Sequence, residues 1–437
     1  MIELIQIIFI FLIFFMSLMV PINIFNSNLP TNKKKFNLDI ASFNLIINCN
    51  FLLLLSIIPV ALSSYNFLYV VGSFLTFFYI YFIKSYHLQD IKKNFIFPLI
   101  LFIIFFIISL NIANELNLGW DAKYFYYIKS LFFVENQILY DLKKFVFGTW
   151  HPHLGSYLWA FYWSVMPLKL EYFGRLFYVF IFIFSLFYMC HDSLKNNFKN
   201  TTIFILLVLI FYNYEKFSGL QEILIFSFLA ILSKYFFQLK YSDNKNYLLY
   251  IILGCNLMLW LKVEGIVYSS ILILMLNLSN QIPKKAKIYL TTSFILLFIL
   301  KVIIYQFFND KTNFLLEVSG HPYYLEYIYN LNIDFIFYKI KFIIPYLAFY
   351  TFNNVFFILG IMLLIVSNLE KSRTDYTKSL NFYFILNLGF IFCAIIFRDN
   401  EVEYSIRSTM DRLVFTSSGF FVYLVVNFIK KFSKNLD

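Results

Sequence analysis

Charged residues are scarce in this chain, and their scarcity excludes a water-soluble fold. Only 14% of the 437 residues are charged and 61% are hydrophobic, whereas soluble domains carry about a quarter charged residues. The hydrophobic residues form continuous runs without alternation at period two, which argues against a membrane β-barrel and favours helices. The sequence therefore predicts an all-α protein built as a polytopic bundle of transmembrane helices.

Cysteines and nucleotide-binding motifs are also scarce or missing. The four cysteines lie far apart within apolar segments, at positions Cys49, Cys190, Cys255 and Cys393. Their spacing predicts neither a disulfide framework nor a zinc site. The Walker loop, the dinucleotide fingerprint, HExxH and CxxC do not occur, which disfavours ATP-driven and zinc chemistry. The apolar start lacks a basic region and a cleavage site, so it is predicted to be the first span.

Apolar runs of membrane-spanning length predict about thirteen spans in a single transmembrane domain, residues 1–437. The 35 Lys and Arg outnumber the 24 Asp and Glu, but the basic residues cluster in short loops, where they set orientation and do not predict nucleic-acid binding. Such loops, including those with Lys284, Lys285, Lys287, Lys371 and Arg373, are predicted to be cytoplasmic. For these loops to share one side, the apolar pieces 155–168 and 336–350 must be re-entrant or juxtamembrane segments of external loops.

The opposite face then carries two long external loops, residues 114–154 and 309–335. The first contains Trp120-Asp121-Ala122-Lys123 and ends in Trp150-His151-Pro152-His153. A carboxylate fixed beside an aromatic ring and opposite a histidine cluster is typical of a general base for a hydroxyl. The alternative interpretation is a helix N-cap with an interfacial tryptophan anchor.

The segment Lys262-Val263-Glu264-Gly265 places two opposite charges in a nearly unbroken apolar run. Ionisable residues at such depth are costly, so they usually face a cavity and have a function there. The alternative is a tight loop in which Gly265 ends a helix and the Lys262 side chain reaches towards the membrane surface.

Two further polar segments lie at the ends of spans. Ser218-Gly219-Leu220-Gln221-Glu222 opens one span, where an acid can bind substrate or stabilise the helix dipole. Arg407-Ser408-Thr409-Met410-Asp411-Arg412 leads into the last span. Arginines at a membrane boundary can bind a lipid phosphate with two hydrogen bonds, or can anchor the helix among head groups.

In their order along the chain, these segments resemble the GT-C superfamily of membrane glycosyltransferases, in particular bacterial relatives of protein mannosyltransferases and aminoarabinose transferases. The matching residues are Trp120-Asp121-Ala122, His151-Pro152, Lys262-Val263-Glu264-Gly265 and Asp411-Arg412-Leu413. The resemblance implies transfer of a sugar from a polyprenyl-phosphate donor to a hydroxyl of a glycan, lipid or protein. It also implies a single displacement that inverts the anomeric configuration.

The resemblance assigns Asp121 as the catalytic base that takes the proton of the acceptor hydroxyl. Cations would stabilise the departing phosphate, and the remaining polar residues would bind substrate. The candidates for donor or acceptor binding are Lys123, His151, His153, Glu222, Lys262, Glu264, Arg407 and Arg412. No metal ligand is assigned and no cofactor is required, although some members of the superfamily use a divalent metal.

The sequence thus predicts a multi-pass glycosyltransferase of the bacterial inner membrane, surrounded by membrane lipid and active on its external face. One alternative is a transporter or flippase of a lipid-linked saccharide, which would place charges near the bilayer midplane and contain inverted repeats. A polysaccharide polymerase or ligase is another alternative. Those proteins commonly have a large external loop with arginines, whereas residues 309–335 form a short loop without arginine.

Overall fold

The protein is helical throughout the residues that its computed structural model describes. These residues are 2–19, 38–79, 96–144, 152–191, 198–241, 246–280, 282–308, 333–369, 375–396 and 402–434. Every regular element in these ranges is a helix and none is a strand. The all-α prediction is therefore confirmed for the described part of the chain.

The helices follow the apolar runs closely. In chain order they are α1 (Ile2–Met19), α2 (Leu38–Ile57), α3 (Asn66–Phe78), α4 (Ile96–Glu115), α5 (Tyr127–Val134), α6 (Leu154–Val165), α7 (Tyr172–Cys190), α8 (Phe198–Phe211), α9 (Glu222–Tyr241), α10 (Asn246–Leu261), α11 (Val263–Leu278), α12 (Lys284–Phe308), α13 (Ile333–Asn353), α14 (Val355–Leu369), α15 (Asp375–Ile396) and α16 (Val402–Lys434).

Among the described helices, eight are long and apolar enough to cross a membrane, or nine if the bent pair α13 and α14 forms one span. The apolar helices α10 and α11 contain 16 residues each. A helix of that size is about 24 Å long, short of the roughly 30 Å of hydrocarbon. The chain therefore has the composition of a multi-pass membrane protein, and the predicted count of about thirteen spans is not confirmed.

The chain forms two compact units, which divide within α9. The first contains Met1–Gly148 and His153–Ser227, and the second contains Thr149–Pro152 and Phe228–Asp437. The single transmembrane domain predicted for residues 1–437 thus contains two units, each with its own packed interior.

Helix α7 is the centre of the first unit, since every one of its residues is buried. Its Gly174 allows close approach of α6, because a Cβ atom there would lie 2.2 Å from the carbonyl oxygen of Trp159. Aromatic rings fill the remaining space, as where Phe14 meets the edge of Tyr162 at 4.8 Å between centroids. Helix α6 covers most of the predicted re-entrant piece 155–168 and is about 18 Å long, too short to cross alone.

In the second unit, helices α11 and α15 pack against α16. The Tyr383 ring of α15 stacks on Phe420 at 3.8 Å, and the Tyr383 hydroxyl donates to the Ser417 carbonyl at 2.9 Å. From α11, the Tyr268 hydroxyl donates to the Leu413 carbonyl at 3.3 Å. These contacts fix α11 and α15 against the membrane part of α16.

Helices α13 and α14 meet at a bend of 94°. The Asn354 side chain lies in the break and accepts a 3.1 Å hydrogen bond from the Phe357 N–H, so it caps α14. The predicted re-entrant piece 336–350 lies inside α13. A bend this sharp is the shape of a broken span or a re-entrant hairpin.

Candidate functional site

The Trp120-Asp121 segment forms a short helical turn that follows α4. Trp120 is 61% exposed, and its ring packs against Tyr124 at 5.1 Å. Asp121 is half-buried and directly precedes the π-type turn Ala122–Tyr126. The Lys123 side chain is exposed, with its Nζ 5.7 Å from the Tyr124 ring centroid. An aromatic surface, a carboxylate and a cation thus occupy one turn at the surface of the first unit.

This turn is docked on the loop that precedes α9. The Gly119 N–H donates to the Ser218 carbonyl at 3.0 Å. On the other side of the same contact, a Cβ atom at Gly219 would lie 2.9 Å from that of Ala122 and 2.6 Å from the Trp159 ring. Gly219 also has φ +89°, a conformation that disfavours any other residue. The sequence Ser218-Gly219 therefore allows the two loops to meet at backbone distance.

Arg175, in the first turn of α7, forms hydrogen bonds to both of these loops. Its guanidinium is fully buried, and its Nη1 donates to the carbonyls of Asn117 at 3.3 Å and Phe217 at 3.4 Å. Its Nε and Nη2 pair with the two carboxylate oxygens of Glu171 at 2.8 and 3.1 Å. We call this group, consisting of Arg175, Glu171 and the Asn117 and Phe217 carbonyls, the arginine clamp.

The clamp carboxylate is itself poorly solvated. Burial raises the pKa of Glu171, and the charge and hydrogen bonds of Arg175 oppose that shift. The backbone carbonyl of Glu171 accepts a 3.3 Å hydrogen bond from the Trp159 indole. Glu171 therefore connects the clamp to α6 as well as to α7.

Arg175 was not identified as a functional residue from the sequence. The sequence nevertheless contains a signal for it. Arg175 is a single arginine in an apolar run and follows Glu171 by four residues. Charged residues in membrane helices usually pair with a residue of opposite charge, and this spacing allows such a pair on one helix face.

The residues at the start of α9 pack against α6. The Gln221 amide lies 3.5 Å from the Ser156 hydroxyl. Gly155 makes room for this amide, since a Cβ atom at that position would lie 2.4 Å from it. Glu222 is buried in the first turn of α9, so its carboxylate is at the positive end of the helix dipole.

Of the two histidines predicted to bind substrate, His153 lies within the described residues and His151 does not. His153 is fully buried, with its Nε2 2.7 Å from the Ser56 hydroxyl and its ring beside Phe133. These contacts connect the start of α6 to α2 and to α5. His151 lies outside the described residues, as do most of the residues of the 309–335 loop.

In the second unit, Lys262 is the only residue between α10 and α11. Its Nζ lies 3.1 Å from Glu264 Oε1, and both side chains are largely buried. Its backbone is extended, and Gly265 lies in the first turn of α11. A Cβ atom at Gly265 would lie 2.0 Å from the Met258 carbonyl oxygen. The close approach of α10 and α11 therefore requires glycine at this position.

The predicted arginines lie on the first part of α16. Arg407 is exposed and pairs with Glu403 at 2.6 Å, while Glu403 also accepts a 3.3 Å hydrogen bond from the Tyr346 hydroxyl. Arg412 is half-buried, and its carbonyl accepts a hydrogen bond from the Thr416 hydroxyl. Glu403 and Tyr346, like Arg175, were not identified from the sequence.

The candidate residues thus form separate groups within each unit. Asp121 and Lys123 share the docked turn of the first unit, while Lys262 and Glu264 form an ion pair in the second. Within the described ranges, no group of three or more His, Cys, Asp or Glu side chains could hold a metal ion. No protein family, curated protein or solved structure matches the chain. The resemblance to membrane glycosyltransferases therefore stays a prediction.

Proposed function

We propose that this protein is a membrane glycosyltransferase that moves a sugar from a polyprenyl-phosphate donor to an acceptor hydroxyl. The acceptor oxygen attacks the anomeric carbon while Asp121 takes the hydroxyl proton. The bond from the anomeric carbon to the phosphate oxygen breaks, and polyprenyl phosphate leaves with the bonding electron pair. One displacement of this kind inverts the anomeric configuration.

The observation that carries the proposal is the fixed position of the Asp121 turn. A general base must be held at hydrogen-bond distance from the proton it removes, and small displacements cost much of the rate. The Gly119 hydrogen bond to Ser218 and the arginine clamp hold the segment just before Asp121. A helix cap or a simple membrane anchor needs no such second support.

The surroundings of Asp121 suit a lipid-linked sugar. The exposed rings of Trp120 and Tyr124 offer an apolar surface at the end of a membrane bundle, where Trp and Tyr prefer the interface. Lys123 supplies a cation two residues from the carboxylate, and a cation stabilises the charge that develops on a departing phosphate. Donor phosphate binding by Lys262, Arg407 and Arg412 rests on the sequence resemblance alone.

The remaining parts of the proposal come from the sequence. The protein would lie in the bacterial inner membrane with its active site on the external face, and would modify a glycan, a lipid or another protein. A divalent metal is compatible with this chemistry. His151, His153, Glu222 and Glu264 would bind or position the sugar or the acceptor.

Purified protein in liposomes tests the reaction directly. A polyprenyl-phosphate donor with a radiolabelled sugar is added together with a mixture of candidate acceptors, and release of polyprenyl phosphate is measured. Asp121→Asn should abolish release while the protein keeps its thermal stability. Glu135→Gln is the matched control, because Glu135 is an exposed carboxylate of the same external loop. Full turnover by Asp121→Asn would refute the assigned role.

A transporter or flippase of lipid-linked saccharide is the second candidate, and buried lysines favour it. Lys234, Lys301 and Lys339 are each 1% exposed within apolar helices of the second unit. They contact the Tyr423 ring, the Tyr305 ring and the Ile396 carbonyl, respectively. Ionisable groups buried in membrane helices commonly mark transport pathways. Movement of an intact fluorescent donor between leaflets, without cleavage, would support this candidate.

A further inference from the structure

Asn387 is a polar residue buried in the middle of an apolar helix. It is the central residue of the apolar stretch Lys378–Ile396 of α15, and it is 0% exposed. Neither its amide oxygen nor its amide nitrogen has a hydrogen-bond partner among the described residues. A buried amide without hydrogen bonds is strongly unfavourable in apolar surroundings. Such a group therefore points to a small ligand that the protein chain does not itself supply.

Asn387 lies on the packed face of α15. Leu380, Tyr383, Asn387 and Ile391 follow one another at intervals of three or four residues, and each is 0% exposed. The leucine and the isoleucine bury only hydrocarbon on this face, whereas Asn387 brings hydrogen-bond donors and acceptors. Since the protein encloses the whole residue, neither the lipid nor the bulk solvent reaches its amide.

Two tyrosine hydroxyls lie beside this position. The Tyr383 hydroxyl, one turn before Asn387 on α15, donates to the Ser417 carbonyl at 2.9 Å. The Tyr268 hydroxyl donates to the carbonyl one turn earlier on α16, at 3.3 Å. The Tyr268 ring also meets the ring of Phe390, three residues after Asn387, at 5.6 Å between centroids. Asn387 therefore lies at the junction of α11, α15 and α16, close to both tyrosines.

We propose that Asn387 binds one or two buried water molecules at this junction. Each tyrosine gives its O–H to a backbone carbonyl, so its oxygen keeps a lone pair that can accept a further hydrogen bond. Water matches these groups because it both donates and accepts, and a buried water makes about three hydrogen bonds. It accepts from the Asn387 amide nitrogen and donates to the amide oxygen or to a tyrosine oxygen.

The proposed water continues a polar path that begins at the Lys262–Glu264 ion pair. Tyr268 follows Glu264 by one turn of α11, so the ion pair, the tyrosine and the water site succeed one another along the second unit. Ionisable residues inside a membrane bundle usually face one another or water. The site brings water into this part of the bundle and does not depend on the glycosyltransferase assignment.

Radiolytic footprinting of the purified full-length protein tests the site. A short X-ray pulse converts bound water into hydroxyl radicals, which oxidise the side chains that contact it, and mass spectrometry locates the oxidised residues. Tyr268 and Tyr383 should be oxidised, although both are 0% exposed. Tyr235 is the internal control, because it is equally buried and packs against the rings of Tyr247 and Tyr250.

Asn387→Leu removes the amide at nearly the same volume. We expect the oxidation of Tyr268 and Tyr383 to fall to the level of Tyr235, and the melting temperature to fall because the hydrogen bonds to water are lost. Ile385→Leu is the matched control, since Ile385 is 67% exposed on the same helix, and it should change neither quantity.

Three results would overturn the site. The first is oxidation of Tyr268 and Tyr383 in the wild-type protein that does not exceed that of Tyr235. The second is unchanged oxidation of the two tyrosines in Asn387→Leu. The third is a higher melting temperature of that variant, because replacing an amide that truly has no partner by an apolar group stabilises a protein.

Discussion

The backbone N–H of Gly119 donates a 3.0 Å hydrogen bond to the Ser218 carbonyl, joining two loops that are far apart in the chain. The buried guanidinium of Arg175 bonds to a carbonyl from each of the same loops. The Asp121 turn therefore depends on contacts made outside its own segment. Variants that change those contacts, and leave Asp121 in place, test whether its position matters.

Gly219→Ala should loosen the docking of the two loops. The new Cβ atom would lie 2.6 Å from the Trp159 ring, and the alanine would have to adopt φ +89°. Strain of this kind costs about 1–3 kcal/mol, and we expect a lower melting temperature together with a loss of transfer activity. Gly72→Ala is the control, because its Cβ would have no neighbour within 4 Å and alanine favours a helix. Equal melting temperatures for the two variants would contradict the docking contact.

Arg175→Met should destabilise the first unit strongly. The change leaves Glu171 without its cation and removes a donor from two loop carbonyls. Breaking a buried pair from one side costs about 3–5 kcal/mol. Thermal unfolding of the purified protein measures the effect. Arg407→Met should change stability little, since the Arg407 pair is exposed. A small effect of Arg175→Met would show that the clamp is not needed for folding.

Stability should depend on pH through Glu171. Burial raises the pKa of this carboxyl in the folded protein, so the folded state holds the proton more tightly than the unfolded state. The stabilising contribution is complete below the ordinary glutamate pKa of about 4.3 and is lost as pH rises through the raised pKa. Wild-type protein should therefore gain melting temperature relative to Glu171→Gln as the pH falls from neutral. A constant difference between them would contradict this linkage.

Gly265→Ala should disrupt the turn that presents Lys262 and Glu264. The added Cβ would lie 2.0 Å from the Met258 carbonyl oxygen, so the two helices would have to separate. Overpacking of this kind costs about 1–3 kcal/mol. Gly389→Ala is the matched control within α15, because its Cβ would have open space. Comparison of the two melting temperatures checks the prediction, and equal values would mean that α10 and α11 can separate freely.

Hydropathy alone located most of the helices, because the cost of an unpaired backbone in lipid forces each long apolar run into a helix. Helices α7 and α10, for example, coincide with predominantly apolar runs of 19 and 16 residues. The number of spans could not be predicted in the same way. Whether a helix of 16 residues crosses the bilayer depends on its neighbours, and the 94° bend at Asn354 has no unique signal in the sequence.

Only part of the candidate site could be predicted from the sequence. Lys262 and Glu264 were identified as candidates because charges are rare in apolar runs. In the structure the two side chains form an ion pair. The docking of Gly119 on Ser218 could not be predicted, since hydropathy carries no information on which loops meet. The role of Arg175 could not be predicted for the same reason, because its carbonyl partners belong to those two loops.

The side of the membrane on which Trp120 lies tests the central claim most directly. Single cysteines at Trp120, Arg407 and Lys284 are introduced into a Cys393→Ser background, because Cys393 is exposed whereas the other three native cysteines are buried. A membrane-impermeant maleimide is then applied to intact and to permeabilised cells. We predict labelling of Trp120→Cys and Arg407→Cys in intact cells, and of Lys284→Cys only after permeabilisation. Labelling of Trp120→Cys and Arg407→Cys from opposite sides would contradict the account.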